Sequence, residues 1–290
     1  MAFQQLVNGL SLGAVYAMIA VGYSLVYSVL NFSNFAHGEI LMLGAYAGWY
    51  AISLLRVPFG LSIAFAMIGA GIVAVLVEKI GYRPLRLRNA PTLYFMIAAM
   101  GFSVFLQNFS IIIFSPTFRT FPQIFSLEPY VIGDVTIGRL DLVIFLISIV
   151  ALSLLTWVIY GTKIGTAILA TAYNGVVASL MGINPDLVVT IVFLLAGATA
   201  GLGGVLFSMK FTAYPWMGVL MIKAFIAAVV GGLGSLPGAV LGAFLLGITE
   251  TFAAGYISSS FRDLLSFALM IIIIILRPGG LLGKVTQEKA

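Results

Sequence analysis

The chain has 290 residues, of which 62% are hydrophobic and only 8% are charged. A soluble domain carries roughly a quarter charged residues, so this composition excludes an ordinary soluble protein and predicts a chain whose solvent is largely lipid. The net charge of +5 is interpreted as loop charge that orients the spans and not as a nucleic-acid surface. The absence of cysteine excludes disulfides, thiol nucleophiles and cysteine metal sites.

Apolar stretches follow one another along almost the whole chain. They lie at 5–30, 39–55, 59–80, 91–114, 141–160, 187–209, 220–232, 238–256 and 263–277. A helix that crosses the hydrocarbon core needs roughly 20 apolar residues, so the length leaves little room beyond the spans. We predict an all-α integral membrane protein, a polytopic helical bundle of about eight or nine transmembrane helices. It is expected to form a single domain over residues 1–290 with an internal repeat and interrupted helices.

The basic residues predict the orientation of the bundle, because Lys and Arg stay on the cytoplasmic side. With the N-terminus outside and the C-terminus inside, the cluster YRPLRLR at 82–88 faces the cytoplasm. The inverse orientation would put this cluster outside and is disfavoured. No Lys or Arg precedes Arg56, whereas a secretory signal would begin with basic residues. The first apolar stretch is therefore expected to remain as a span.

Glycine pairs with GxxxG spacing predict close helix contacts, because backbone approach supplies the packing that lipid does not drive. The pairs are Gly9/Gly13, Gly44/Gly48, Gly197/Gly201 and Gly238/Gly242. We interpret them as contacts within one chain rather than as a dimer interface.

Two polar interruptions divide the apolar stretches, NFSNFAHG at 31–38 and GGLGSLPG at 231–238. Broken helices bind solutes where they line a cavity, and one break in each half is typical of transporters built from repeats. A plain helix–helix turn is the alternative for each break. The translocation-pathway residues expected on this basis are Asn34, His37, Glu39, Gly231, Gly232, Gly234, Ser235 and Glu250.

Ionisable residues at membrane depth are costly and usually face a partner or a cavity. Glu39, Lys223 and Glu250 are the candidates within the apolar stretches. Lys223 could pair with Glu250, but the favoured interpretation is that its ammonium group snorkels to the membrane interface.

The connection 161–185 reads GTKIGTAILATAYNGVVASLMGINP, which is too polar to span and too apolar for a free linker. It predicts one or two short helices at the membrane surface, followed by a span that begins at Pro185 with Asn184 as its N-cap. Such an element could receive force from a soluble partner. An ordinary amphipathic connector is the alternative, and the residues alone leave both open.

No catalytic constellation is visible in the sequence. A catalytic triad needs a base beside its nucleophile, and His37 is the only imidazole available. No HExxH motif is present. The C-terminal GLLGKV fails the P-loop pattern, because Pro278 replaces its first Gly and Val285 its Ser or Thr. We therefore expect no enzyme activity and no cofactor bound by this chain. If the chain pumps a solute, the energy must come from another subunit.

Four stretches of the sequence resemble the membrane permease subunit of branched-chain (hydrophobic) amino-acid ABC importers, of the shorter type. They are NGLSLGAVYAMIAVGYSLVYSVLNFSNFAHGEILMLGAY at 8–46, GTKIGTAILATAYNGVVASLMGIN at 161–184, KAFIAAVVGGLGSLPGAVLGAFLLG at 223–247 and RPGGLLG at 277–283. The resemblance covers nearly all 290 residues, and NFAHGE together with GGLGSLPG makes it specific.

The resemblance implies a multi-pass subunit in the plasma (inner) membrane of a prokaryote, in contact with lipid and with no nucleic acid. It implies a second permease subunit, commonly a related longer one, two cytoplasmic ATPase subunits and an external solute-binding protein. It also makes the 161–184 loop the ATPase-coupling segment. The coupling residues it implies are Lys163, Gly165, Ala170, Asn174, Ala178, Gly182 and Ile183. The chain departs from the family in this loop, where Leu169 replaces the Arg of an Arg-Ala pair and Asn174 replaces an acidic residue.

Other classes of protein remain as alternatives. A secondary transporter driven by an ion gradient would use a buried acid, for which Glu39 or Glu250 could serve. The lack of a catalytic constellation argues against a membrane-embedded enzyme, and the lack of a repeated charged or carbonyl-rich filter argues against an ion channel. Relatives with similar permeases carry other hydrophobic amino acids, amides or urea, so the solute stays open.

Overall fold

The computed structural model describes residues 2–125, 128–132 and 135–283. Its helices are α1 (Ala2–Leu30), α2 (His37–Ser53), α3 (Phe59–Val77), α4 (Arg83–Leu87), α5 (Thr92–Phe114), α6 (Arg139–Gly161), α7 (Lys163–Tyr173), α8 (Gly175–Leu180), α9 (Pro185–Lys210), α10 (Leu220–Gly231), α11 (Leu236–Tyr256) and α12 (Arg262–Leu276). A π-helical turn (Glu78–Tyr82) joins α3 to α4, and 3-10 turns precede α10 (Met217–Val219) and α12 (Ser259–Phe261). A hairpin of two short antiparallel strands, β1 (Tyr130–Ile132) and β2 (Val135–Ile137), lies in the loop before α6.

The predicted helical membrane bundle is confirmed. Seven helices in the described part of the chain are long and apolar enough to cross a membrane. To these, α2 adds 17 residues, and the helical segment Met217–Gly231 adds a shorter apolar pass. The structure therefore agrees with the expected eight or nine passes.

The central helices are enclosed by the others. In α1, 94% of the most apolar window is buried inside the protein, whereas the corresponding share is 17% in α5. Because α1 is apolar on all sides, it can be surrounded by neighbouring helices without burying charge. It packs along α11, while α3 packs along α9 in the same way.

The GxxxG glycines are contacts within the chain, as predicted. A Cβ atom added to Gly44 would meet the Cα of Gly201, and one added to Gly13 would lie 2.8 Å from the Cα of Phe244. Every glycine of the four pairs has such a neighbour within the same chain. Backbone approach of this kind fixes the relative positions of α1, α2, α9 and α11.

An ionic network ties the basic cluster to the start of α9. Arg86 Nη2 lies 2.9 Å from Glu78 Oε1 and 2.8 Å from Asp186 Oδ1. The Thr190 hydroxyl donates to Glu78 Oε2 at 3.1 Å, and the Glu78 side chain is fully buried. The charge of Glu78 is thus compensated by groups from α4 and α9.

The helix interruptions are shorter than the sequence predicts. The first covers residues 31–36 instead of 31–38, because α2 already begins at His37. The second covers 232–235 instead of 231–238, because Ser235 caps α11 and Pro237 lies in its first turn.

Candidate translocation site and coupling surface

Helix α2 begins inside the bundle and not at its surface. The segment 31–36 folds back along α1, so that His37 Nε2 lies 3.2 Å from the carbonyl oxygen of Ile19. Helix α1 continues for eleven residues beyond Ile19 to Leu30, which corresponds to about 16 Å at 1.5 Å per residue. The N-terminus of α2 is therefore well within the thickness of the protein.

Helix α10 begins against the start of α2. A Cβ atom added to Gly38 would collide with the carbonyl oxygen of Gly218, in the 3-10 turn that leads into α10. From this contact α2 and α10 run towards opposite ends of the bundle. Two helix N-termini, each with a partial positive charge, thus meet inside the protein. The sets α1–α2–α3 and α9–α10–α11 correspond as an inverted repeat, the arrangement found in many transporters.

The segment 211–216, which leads into α10, is the counterpart of 31–36 in this repeat. Sequence analysis missed it and assigned the second break to 231–238. Its signals are Pro215 after the end of α9 at Lys210 and the shortness of the stretch 220–232. Proline cannot continue the helix, and a half-length helix that follows must begin within the bundle.

Glu39 lies at the contact between the two half-helices. Its carboxylate packs on the Cα of Gly218, where an added Cβ atom would collide with both carboxylate oxygens and the carboxyl carbon. The Ser103 hydroxyl of α5 donates to Oε1 at 3.3 Å, and Oε2 has no hydrogen-bond partner within the described residues. The residue is only 4% exposed. A buried acid with one weak partner is costly, which makes Glu39 a functional candidate.

Asn34 holds the re-entrant segment 31–36 in place. Its Oδ1 accepts hydrogen bonds from the Tyr82 hydroxyl at 2.7 Å and from the Ala36 amide at 3.2 Å. Its Nδ2 has no partner within the described part of the chain. Asn34, within the first interruption, and His37 and Glu39, in the first turn of α2, are all buried.

Glu250 lies in a separate cluster where both carboxylate oxygens are satisfied. The Tyr16 hydroxyl donates to Oε2 at 2.8 Å, and the Ser266 hydroxyl donates to Oε1 at 2.8 Å. Lys223 Nζ lies 2.6 Å from Glu250 Oε1 and 2.6 Å from Asp263 Oδ1. The expectation that Lys223 snorkels to the interface is wrong, because its ammonium group is held in these two ion pairs.

Gly231 is the last residue of α10, and Gly232, Gly234 and Ser235 lie in the turn between α10 and α11 at one end of the bundle. Gly232 and Gly234 have φ angles of +110° and +81°, which favour glycine, and the Ser235 hydroxyl accepts from the Gly238 amide at 3.2 Å. Gly234 contacts Ser28, nine residues further along α1 than Ile19. The structure therefore does not bring this turn together with His37 and Glu39.

The segment 161–185 contains two short helices, α7 and α8, as its pattern predicts. Gly165 faces the bundle so closely that a Cβ atom would collide with the Ile159 carbonyl oxygen, and Ala178 is also buried. Lys163 and Asn174 are exposed, while Ala170 and Ile183 are half-buried. Exposed Gly182 has a φ of +84°.

Asn174 acts as an N-cap where the resemblance expects an acidic residue. Its Oδ1 accepts from the amides of Val176 at 3.0 Å and Val177 at 3.1 Å. Asparagine is a good N-cap residue, so α8 begins without a carboxylate.

An exposed apolar surface covers the end of α7 and all of α8. This coupling patch consists of Tyr173, Val176, Val177, Leu180 and Met181. Tyr173 is 94% exposed, Leu180 81% and Met181 79%. Sequence analysis did not single these residues out, although α8 has apolar residues where a solvated helix would be polar. Contiguous exposed apolar surface is typical of a protein contact.

A cavity of about 380 Å³ lies between α7, the end of α1 and the α10–α11 turn. Its lining includes Tyr27, Asn31, Tyr160, Ala172 and Ser235. Helix α7 therefore faces residues of both interruptions across this cavity.

The comparisons with known proteins agree over nearly the whole chain. The model of the family described as branched-chain amino acid transport system / permease component matches residues 5–274. The high-affinity branched-chain amino acid transport system permease protein LivH of Escherichia coli is 36% identical over 302 residues, with 99% of this chain and 97% of the relative covered. Its counterpart BraD of Pseudomonas aeruginosa is 36% identical over 301 residues with the same coverage.

A more distant relative and a solved structure are also similar. The probable branched-chain amino acid transport permease protein LivH of Methanocaldococcus jannaschii is 28% identical over 280 residues, with 92% of this chain and 88% of the relative covered. A chain of PsaBC from Streptococcus pneumoniae in complex with Fab has the same fold, with a TM-score of 0.53 at 13% identity, over 94% of this chain and 91% of that chain. This multi-pass membrane protein belongs to the family of permease components of branched-chain amino acid transport systems.

Proposed function

We propose that this chain is one permease subunit of an ATP-driven importer and forms half of a translocation pathway for branched-chain or other hydrophobic amino acids. The observation that carries the proposal is the coupling patch on α7 and α8, set at one end of a bundle that contains two half-helices. The match to the LivH and BraD permeases supports the solute class.

The coupling patch is the site at which an ATPase subunit would bind. Helix α7 packs against α1, α6 and α9, so a displacement of α7 acts on the two helices that carry the re-entrant segments. Because packed helices move as rigid elements, such a displacement would shift α2 and α10 relative to each other. That shift would alternate access to the region around Asn34, His37 and Glu39.

The assembly follows from this role. It contains a second permease subunit, a related longer chain in our proposal, together with two cytoplasmic ATPases and an external solute-binding protein. The N-terminus lies outside, and the C-terminus and coupling patch lie in the cytoplasm, since the cluster around Arg86 is at the same end as α7 and α8. This chain binds no cofactor, and ATP is held by the partner subunits.

The test is uptake by the purified complex in proteoliposomes. We expect ATP-dependent leucine accumulation that requires the binding protein, whereas this chain alone transports nothing. Uptake by the chain alone, driven by an ion gradient, would contradict the proposal and favour a secondary transporter that uses Glu39.

The role of the patch is tested by the double substitution Leu180→Ser and Met181→Ser. We expect ATPase association to weaken by about tenfold or more, since burying one Leu or Met side chain contributes about 1.5–3 kcal/mol and about 1.4 kcal/mol corresponds to tenfold in affinity. Leu87→Ser is the matched control, because Leu87 is 64% exposed on α4 at the same end of the bundle. Equal association of all variants would show that the ATPase binds elsewhere.

A further inference from the structure

The stretch RPGGLLG at 277–283 follows α12 and folds onto the end of α10. We call it the C-terminal strap. The Leu281 amide donates to the Val230 carbonyl oxygen at 3.0 Å, and the Leu282 amide donates to the Gly231 carbonyl oxygen at 2.9 Å. The last carbonyl groups of a helix have no partner within that helix. The strap therefore satisfies two carbonyl groups that α10 itself leaves unpaired.

Glycines allow the strap to lie directly against the backbone that follows α10. A Cβ atom added to Gly280 would lie 2.5 Å from the Cα atom of Gly232, and one added to Gly232 would collide with the Gly283 amide nitrogen. Gly280 and Gly232 also have φ angles of +76° and +110°, which favour glycine. The fit of the strap on the end of α10 therefore depends on backbone contact at three glycines.

The beginning of α10 is attached to α12 as well. Lys223, in the first turn of α10, has its Nζ 2.6 Å from Asp263 Oδ1 in the first turn of α12. The same ammonium group donates to the Ser266 hydroxyl at 3.3 Å. Because α12 and its strap hold both ends of α10, this half-helix cannot slide along α12, and the two helices are expected to move as one body.

The strap also shares a cavity with the coupling helix α7. Leu282 and Gly283 line the space of about 380 Å³ that Leu169, Ala172 and Tyr173 of α7 line as well. Leu282 is 48% exposed, so part of its side chain is free to contact another element. A displacement of α7 towards the strap would close this space and bring the two elements into contact.

From this arrangement we infer that the C-terminal strap is a positioning element for transport, through which a displacement of α7 reaches the half-helix α10. The inference rests on the proposed function and adds a second route to the packing of α7 on α1 and α9. The strap holds α10 and α12 together as one unit. When the cavity closes, this unit moves, and Gly218 at its beginning shifts relative to Glu39.

The substitution Gly280→Ala tests the strap, because the added methyl group would meet the Gly232 backbone and alanine disfavours a φ of +76°. Gly101→Ala is the control, since a Cβ atom added there meets nothing within 4 Å. We expect the Gly280→Ala complex to bind its ATPases normally but to import at least about threefold less leucine per ATP hydrolysed, a change within the range that single substitutions produce in coupling. A strap that only stabilises the fold would lower the amount of assembled complex and leave this ratio unchanged, which would overturn the inference.

A cysteine pair tests the cavity without altering the strap backbone, and it decides the question if Gly280→Ala prevents assembly. The chain has no cysteine, so Ala172→Cys and Leu282→Cys can be joined by bifunctional methanethiosulfonates of increasing length, in complexes whose other subunits lack cysteine. Joining the pair should abolish leucine uptake, because α7 is then held at a fixed distance from the strap, and reduction should restore it. The two single variants treated with the same reagents are the controls.

Two outcomes with the cysteine pair would overturn the inference. Uptake by the joined complex could equal that of the labelled single variants, which would show that α7 need not move relative to the strap. Alternatively, no reagent could join the pair, which would show that α7 does not approach the strap. Failure of the proposed function has a separate signature, namely the absence of ATP-dependent uptake in the unmodified complex.

Discussion

Lys223 Nζ lies 2.6 Å from Glu250 Oε1, and this ion pair joins α10 to α11 inside the bundle. Tyr16 and Ser266 complete the hydrogen bonds of the carboxylate. Glu250 therefore has partners for both oxygens, whereas among the described residues Glu39 has one weak partner and an oxygen without a hydrogen bond. This difference separates the two buried acids: Glu250 holds helices together, whereas Glu39 is the acid that the proposed translocation pathway would use.

The first prediction concerns Glu250→Gln, which keeps the shape of the side chain but removes its charge. Lys223 would then keep one ion pair, with Asp263, which is 77% exposed, and a hydrogen bond of 3.3 Å to the Ser266 hydroxyl. We expect a loss of about 3 kcal/mol of stability, the usual cost of breaking a buried pair by removing one partner, measured by chemical denaturation of the purified complex. Asp263→Asn is the control and should cost less than about 1 kcal/mol, as for exposed ion pairs. Normal stability with lost uptake and intact ATPase stimulation would instead favour an ion-coupling role for Glu250.

The second prediction concerns Gly218→Ala. The added methyl group would collide with the Glu39 carboxylate and separate it from Ser103. We expect about 1–3 kcal/mol of destabilisation from overpacking, and slower uptake because α2 and α10 can no longer meet closely.

Gly60→Ala is the matched control, since a Cβ atom there meets nothing within 4 Å. This substitution lies in the first turn of α3 and should leave stability unchanged or slightly improved. If Gly218→Ala matches the control in both unfolding and uptake, the contact between the half-helices is not tight in the functional state.

The sequence predicts local structure well because local structure depends on neighbouring residues. The apolar stretches define the helices, Asn184 caps α9 as predicted, and the glycine pairs mark close contacts. The fold-back before α10 was missed because its only local signals are a proline and a short helix. The wrong interpretation of Lys223 has a similar origin, since Asp263 and Glu250 reach it from other helices.

The contact of Glu39 with Gly218 could not be predicted for a related reason. Helices α1, α2 and α9 are apolar on most sides, so their patterns do not indicate which face meets which neighbour. The pairing is decided by backbone approach at small residues, such as Gly44 on Gly201, between remote parts of the chain. The coupling patch could not be predicted for the same reason, since the exposure of its residues depends on which surfaces the packed helices leave uncovered.

The third prediction concerns Arg86→Ala. It would leave the carboxylate of Glu78, which is fully buried, without its cation, although the Thr190 hydroxyl would remain. We expect about 3–5 kcal/mol of destabilisation, measured by chemical denaturation. Arg88→Ala is the control at the same end of the bundle, because Arg88 is exposed, and it should change stability by less than about 0.5 kcal/mol. Equal effects of the two substitutions would contradict the role of the network that joins α4 to α9.

The last prediction concerns Gly182, which follows α8 with a φ of +84°. No atom lies within 4 Å of an added Cβ, so space does not restrict this position, and only backbone strain does. Gly182→Val should therefore cost at least about 1–2 kcal/mol locally, whereas Gly182→Asn should be tolerated because asparagine adopts this conformation more readily. We expect the valine variant to shift α8 and lower the amount of amino acid imported per ATP hydrolysed, with normal expression. The asparagine variant should import as much amino acid per ATP hydrolysed as the unmodified complex. If valine and asparagine give the same ratio, the backbone at Gly182 does not position the coupling patch, and force must enter the bundle through α7 alone.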